Sequence, residues 1–117
     1  MKNVLVVDDS TLVRERLSTL LAEASGLRVV GEAADATDAL TAVERLAPDA
    51  VVLDIRMPGA SGIEVLERIK ANHPKILVIM LTNYDFDHYR RRCLASGADY
   101  FFNKAREFER VVEVLTQ

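Results

Sequence analysis

Asp8 and Asp9 stand side by side at the end of an apolar run, residues 4–7. Asp54 ends a second run, residues 50–53; Thr82 ends a third, residues 76–81; Lys104 lies just past a fourth, residues 100–102. If the four runs are neighbouring strands, three carboxylates share one small space. Each pair about 4 Å apart then costs roughly 4 kcal/mol at an effective dielectric near 20. Such a corner must hold a proton or bind a cation. An all-oxygen donor set favours Mg²⁺, which takes one or two carboxylates and keeps positions for phosphate oxygens. Lys104 and Thr82 suit the remaining oxygens of a phosphoryl group, and a carboxylate nucleophile would yield an acyl phosphate.

The runs alternate with segments of helical period. Apolar stretches at residues 4–7, 27–30, 50–53, 76–81 and 100–102 are short and mostly continuous, the pattern of strands covered on both faces. Between them, five apolar stripes recur at three- and four-residue intervals: Val13, Leu17, Leu20 and Leu21; Leu40, Val43 and Ala47; Ile63, Leu66 and Ile69; Phe86, Tyr89 and Cys93; Phe108, Val111, Val112 and Leu115. Asp35 and Ser61 are placed to cap the second and third helices, and Gly97 to end the fourth after Ser96. Pro48 and Pro74 fall between helix and strand, where neither element must contain them. The prediction is one α/β domain, a flavodoxin-like (βα)5 sandwich with a parallel sheet in the order 2-1-3-4-5. Its switch point lies between strands 1 and 3, the two that end in acids.

Composition narrows the classes. The 117 residues fit a single domain, half are hydrophobic, and the formal net charge is −3, against general nucleic-acid binding. One cysteine, Cys93, rules out a disulfide within the chain and suits a reducing cytoplasm. The longest apolar run is far too short to span a bilayer, and the N-terminus lacks the small-residue cleavage site of a signal peptide.

The stretches VLVVDDS, VVLDIRMPGASGIEVL, VIMLT and YFFNK, in this order and spacing, resemble the receiver domain of two-component response regulators over residues 2–115. The resemblance implies that Asp54 is the phospho-acceptor. Asp9, Asp54 and the backbone carbonyl of Arg56 would bind Mg²⁺, and Asp8 would act through water. Lys104 and Thr82 would contact the phosphoryl group, Thr82 and Phe101 would form the switch, and Pro58 and Gly62 match the loop after the acceptor. It implies a donor, a histidine kinase or histidine phosphotransfer protein, and a downstream protein on the face made by helix 4, strand 5 and helix 5. The expected molecule is a cytoplasmic switch, not a turnover enzyme. It is a monomer or a phosphorylation-linked dimer, with no direct nucleic-acid contact and no membrane insertion.

Several positions depart from the family pattern. Proline usually follows the lysine; here Ala105 does, so a trans bond and a rearranged loop are expected. The residue after the threonine is usually small; here it is Asn83. By the same resemblance, Arg56 and Tyr84 occupy the positions that in the family tune access of hydrolytic water, and Phe101 has no hydroxyl for a hydrogen-bonded switch. His73 and His88 read as solvent-facing, and Arg90-Arg91-Arg92 as a solvated face able to meet an acidic partner.

Other functions fit less well. An aspartyl-phosphate phosphatase of the haloacid dehalogenase type needs an acid two residues after its nucleophile, but Ser10 follows Asp8 and Arg56 follows Asp54 at that spacing. In a flavodoxin, the acids of DDST would repel the flavin phosphate. A receiver-shaped interaction module that is not phosphorylated is the alternative, supported by Asn83 and Ala105. With the last helix ending near Gln117, the expectation is a stand-alone regulator or a receiver cut from a longer protein.

Overall fold

The computed structural model describes residues 1–84 and 87–117. Five strands and five helices alternate: β1 (Lys2–Val7), α1 (Thr11–Glu23), β2 (Leu27–Ala33), α2 (Ala36–Leu46), β3 (Ala50–Leu53), α3 (Gly62–Asn72), β4 (Leu77–Thr82), α4 (Asp87–Ala95), β5 (Tyr100–Asn103) and α5 (Arg110–Leu115). All pairings are parallel and the order is β2-β1-β3-β4-β5, as expected.

The continuous apolar runs have a simple cause. Successive strand residues point to opposite faces, and helices cover both. Leu5, Val7, Val51, Leu53, Val78, Met80 and Phe101 join one core with α2, α3 and Cys93 of α4. Val4, Val6, Val52, Ile79, Leu81 and Phe102 join the other with α1 and α5. Each buried Val or Leu contributes about 1.5–3 kcal/mol from removal of apolar surface from water.

Side chains set several helix ends. Ser10, Asp35 and Ser61 cap α1, α2 and α3, accepting from the backbone N–H of Val13, Asp38 and Glu64 at 3.2, 2.8 and 3.4 Å. Beyond α4, the Ala98 N–H donates to the Cys93 carbonyl at 3.0 Å, and Gly97 takes φ +105. This closure needs the left-handed region that glycine enters freely.

The structure corrects some boundaries. Ala47 is not on the buried stripe of α2; it is exposed at the C-cap with φ 45, and Pro48 then prevents the helix from continuing. β2 runs to Ala33 instead of Val30, because an edge strand tolerates the exposed Glu32. β4 starts at Leu77 and ends on Thr82, α4 ends at Ala95 instead of Ser96, and β5 includes Asn103. α5 begins only at Arg110, so Val114 is buried and Val112 is only half-buried, while Phe108 is buried just before the helix. Phe86 lies outside the described residues. His73 ends α3 and its Nε2 lies 2.7 Å from Glu44 Oε1, while His88 is exposed.

Two exposed aspartates pin the end of the sheet where the strands begin. Asp49 accepts the Asn3 N–H on its carboxylate at 2.7 Å, donates its own N–H to the Asn3 carbonyl and accepts the Leu77 N–H. Asp99 accepts from the Val78 N–H and from Lys70 Nζ, both at 2.8 Å, and Lys70 also donates to the Ile76 carbonyl. Among the described residues no helix is long and apolar enough to cross a membrane.

Cys93 is fully buried, and burial pushes its thiol up to about 11. An unfolded thiol ionises from about pH 8.5–9, so the unfolded chain loses this proton first as pH rises. Stability should therefore fall between about pH 9 and pH 11, by an amount of order 2–3 kcal/mol. Urea unfolding across that range is expected to be steeper in pH for the wild type than for Cys93→Ala. Parallel curves would contradict it.

Candidate functional site

Sheet hydrogen bonding carries both acid-bearing backbones past their strands. The Asp8 N–H donates to the Ala33 carbonyl at 3.0 Å, and the Asp54 N–H donates to the Val7 carbonyl at 3.2 Å. Their side chains are therefore neighbours at the switch point, and both are buried, at 2% and 4% exposure. Asp9 is exposed at the mouth. One carboxylate oxygen from each of Asp8, Asp9 and Asp54 lies within 4.8 Å of the others.

Lys104 reaches this cluster from the far side of the sheet. Its Nζ lies 2.6 Å from Asp8 Oδ2 and 3.1 Å from Asp54 Oδ2. The other oxygens have backbone partners: Asp8 Oδ1 accepts from the Ser10 N–H at 2.9 Å, and Asp54 Oδ1 accepts from the Ile55 N–H at 2.8 Å. Burial holds the Asp8 carboxyl above the usual carboxylate range, with Lys104 pulling the other way. For Lys104 burial works against the charge, but its contacts with Asp8 and Asp54 together outweigh it and raise its pKa.

Lys104 is followed by a trans peptide bond to Ala105. Asn103 shapes this loop. Its buried side-chain oxygen accepts from the N–H groups of Ala105 and Arg106 at 2.9 and 3.0 Å, and its own N–H donates to Glu107 Oε1 at 3.1 Å. This reciprocal cap resembles the capping box at a helix start. The signal in the sequence is an Asn four residues before a Glu, one residue longer than the usual capping-box spacing.

Thr82 is fully buried at the end of β4, and its Oγ1 accepts from the Tyr84 N–H at 3.0 Å. Among the described residues no hydrogen bond joins Thr82 to the carboxylates. Its carbonyl accepts from the Lys104 N–H at 3.0 Å, which ties the two strand ends together. Asn83 is exposed. Arg56 lies with Cζ 4.4 Å from the centre of the Tyr84 ring, and the Tyr89 and Tyr84 phenols raise its pKa further. Phe101 is only 3% exposed, with Arg90 Cζ 4.9 Å from its ring centre.

The loop from Asp54 to α3 closes on itself. The Gly62 N–H donates to the Ile55 carbonyl at 2.6 Å, and the Gly62 Cα faces the Asp54 backbone with no room for a side chain. The donor set fits a small hard cation: the three grouped carboxylates offer only oxygen, two are buried and preset by backbone bonds, and one is open to solvent.

Comparison with known proteins agrees with this fold. The family model for the response regulator receiver domain matches residues 4–116. The response regulator GacA of Pseudomonas aeruginosa is 36% identical over 117 residues, covering 100% of this chain and 55% of that protein. The chain thus spans about half the length of GacA. Among solved structures, the response regulator domain of Thermotoga maritima CheB is 32% identical with a TM-score of 0.87, covering 99% of this chain and 91% of that one. A LuxR-family DNA-binding response regulator from Staphylococcus aureus is 27% identical with a TM-score of 0.92, covering 99% and 97%. With a matching family model over nearly its whole length, the chain belongs to the response regulator receiver domain family of two-component systems.

Proposed function

We propose that Asp54 accepts a phosphoryl group from a phosphohistidine of a sensor kinase or phosphotransfer protein. The observation that supports this reading best is the grouping of Asp8, Asp9 and Asp54 at one strand-end corner, with Lys104 bridging two of them. A carboxylate oxygen of Asp54 attacks phosphorus and the P–N bond breaks. The electron pair stays on the imidazole nitrogen, so the products are an acyl phosphate and histidine. Asp9, Asp54, the Arg56 carbonyl and, through water, Asp8 would hold Mg²⁺, which when bound neutralises charge on the transferring oxygens. Lys104 shifts from its carboxylate contacts to a phosphoryl oxygen, and the Thr82 hydroxyl turns from the Tyr84 N–H toward another.

That movement of Thr82 is the source of output. Phe101 repacks beneath Arg90, and the face of α4, β5 and α5 changes. A downstream protein, or a second copy of this chain, that prefers the changed face shifts the population by its differential affinity. The domain is a switch that carries one phosphoryl group and loses it to water; it does not turn over a substrate pool.

The deciding measurement is intact mass after incubation with acetyl phosphate and Mg²⁺. One added phosphate on the wild type and none on Asp54→Asn is the expected result. A wild type that stays unmodified would leave the chain as a non-phosphorylated interaction module. The Arg56–Tyr84 stack should slow loss of that phosphate by screening the mouth from water. Arg56→Asn and Tyr84→Glu are each expected to shorten the lifetime several-fold in a decay assay, and unchanged decay in both would remove the idea.

A further inference from the structure

Arg14, on the first turns of α1, takes no part in the chemistry described above, yet its guanidinium reaches the backbone of the acidic corner. Nη1 donates to the Asp8 carbonyl at 2.6 Å, Nη2 donates to Thr11 Oγ1 at 3.3 Å, and Nε donates to Glu32 Oε1 at 3.1 Å. Glu32 is braced in turn, because its Oε2 accepts from the Ser18 hydroxyl at 3.3 Å. The Arg14 side chain is only 16% exposed and its bond to the Asp8 carbonyl is partly shielded from water, whereas the Glu32 side chain is 42% exposed.

We infer that Arg14, braced by Glu32, is a positioning residue that sets the Asp8–Asp9 peptide for cation binding. The geometry makes this specific. The Asp8 carbonyl belongs to the peptide unit that also carries the Asp9 N–H, so fixing its direction fixes the plane from which Asp9 extends. Asp8 is already held on either side: its N–H by the Ala33 carbonyl, its carboxylate by the Ser10 N–H. Asp9 is exposed and relies on the peptide plane for its aim. A rigid planar fork that spans a carbonyl, a hydroxyl and a carboxylate is a task for arginine, and a lysine ammonium with a single nitrogen does not reproduce it. The cost of losing such an outer partner of a metal ligand is typically 10–100-fold in metal affinity.

The inference rests on the reading of Asp8, Asp9 and Asp54 as the Mg²⁺ site, and the test separates the two. Mg²⁺ alone is titrated by calorimetry or by amide NMR shifts into the wild type, Arg14→Met, Arg14→Lys and Glu32→Gln, with thermal unfolding in EDTA recorded for each. Arg14→Met is expected to bind Mg²⁺ about tenfold or more weakly. Arg14→Lys should fail to restore affinity, and Glu32→Gln should show a smaller loss. Wild-type affinity in folded Arg14→Met overturns the positioning role, even if its melting temperature falls. Full affinity in Arg14→Lys overturns the requirement for the fork. Should Arg14→Met not fold, Glu32→Gln decides: unchanged affinity there overturns the proposal. A wild type that binds no Mg²⁺ overturns the metal-site reading and this inference with it.

Discussion

Gly62→Ala is expected to destabilise the domain by about 3 kcal/mol or more and to slow phosphorylation from acetyl phosphate by about a hundredfold. A Cβ at residue 62 would overlap the Asp54 carbonyl oxygen and lie 2.7 Å from the Asp54 carbonyl carbon and 2.9 Å from Ile55 Cα. Every atom in its way is backbone, so no rotamer change relieves the clash. Either the start of α3 moves out, breaking the bond from the Gly62 N–H to the Ile55 carbonyl, or the Asp54–Ile55 peptide moves and takes the acceptor with it. Gly59 in the same loop is the control. It has φ +88 and open space around it, so its alanine variant carries only a backbone penalty of about 1 kcal/mol. Urea unfolding and phosphorylation rates for the two variants check the contrast. Equal behaviour would mean that the loop yields freely and that close approach at residue 62 has no special weight.

Lys104→Met should cost about 3–5 kcal/mol in EDTA, the usual result of removing one partner of a buried ion pair. The methionine roughly matches the lysine stem in length, so the change chiefly removes charge. It leaves Asp8 and Asp54, both nearly inaccessible, without the ammonium that lies 2.6 and 3.1 Å from them. Mg²⁺ then has no resident cation to compete with. Because a ligand that binds only the folded state stabilises it in proportion to RT ln(1 + [L]/Kd), added Mg²⁺ should raise the melting temperature of Lys104→Met more than that of the wild type. A variant as stable as the wild type in EDTA, or one less responsive to Mg²⁺, would show that the lysine does not neutralise this corner.

Much of the fold was legible in the sequence because of burial. A parallel sheet covered on both faces leaves uninterrupted apolar runs, and the runs at β1, β3 and β4 occupy the three central positions. Asp35 and Ser61 were readable as caps because capping is local chemistry. The errors arose where tertiary context overrides pattern. Ala47 has the spacing of a core residue but ends α2 in a left-handed turn. The stripe through Val112 shifts to Val114 because the Asn103 cap and the turn after it delay α5.

Within the candidate site, the strand-end positions of Asp8, Asp54, Thr82 and Lys104 followed from strand ends alone. What each side chain does there did not. Which carboxylate takes the shorter contact with Lys104, and which way the Thr82 hydroxyl turns, are matters of rotamer and of partners distant in sequence. Arg14 was invisible because its contacts combine the Asp8 carbonyl just past β1, Thr11 on its own helix and Glu32 on β2, and no local pattern signals that combination.

The Asp49 and Asp99 contacts tie neighbouring strands together where they begin. One rim is fastened by crossed carboxylate and lysine contacts, while the opposite rim is where the acids, the threonine and the lysine are carried. If the proposed phosphorylation moves Thr82, these contacts keep the strand starts in place, and the displacement is expected at the strand-end rim.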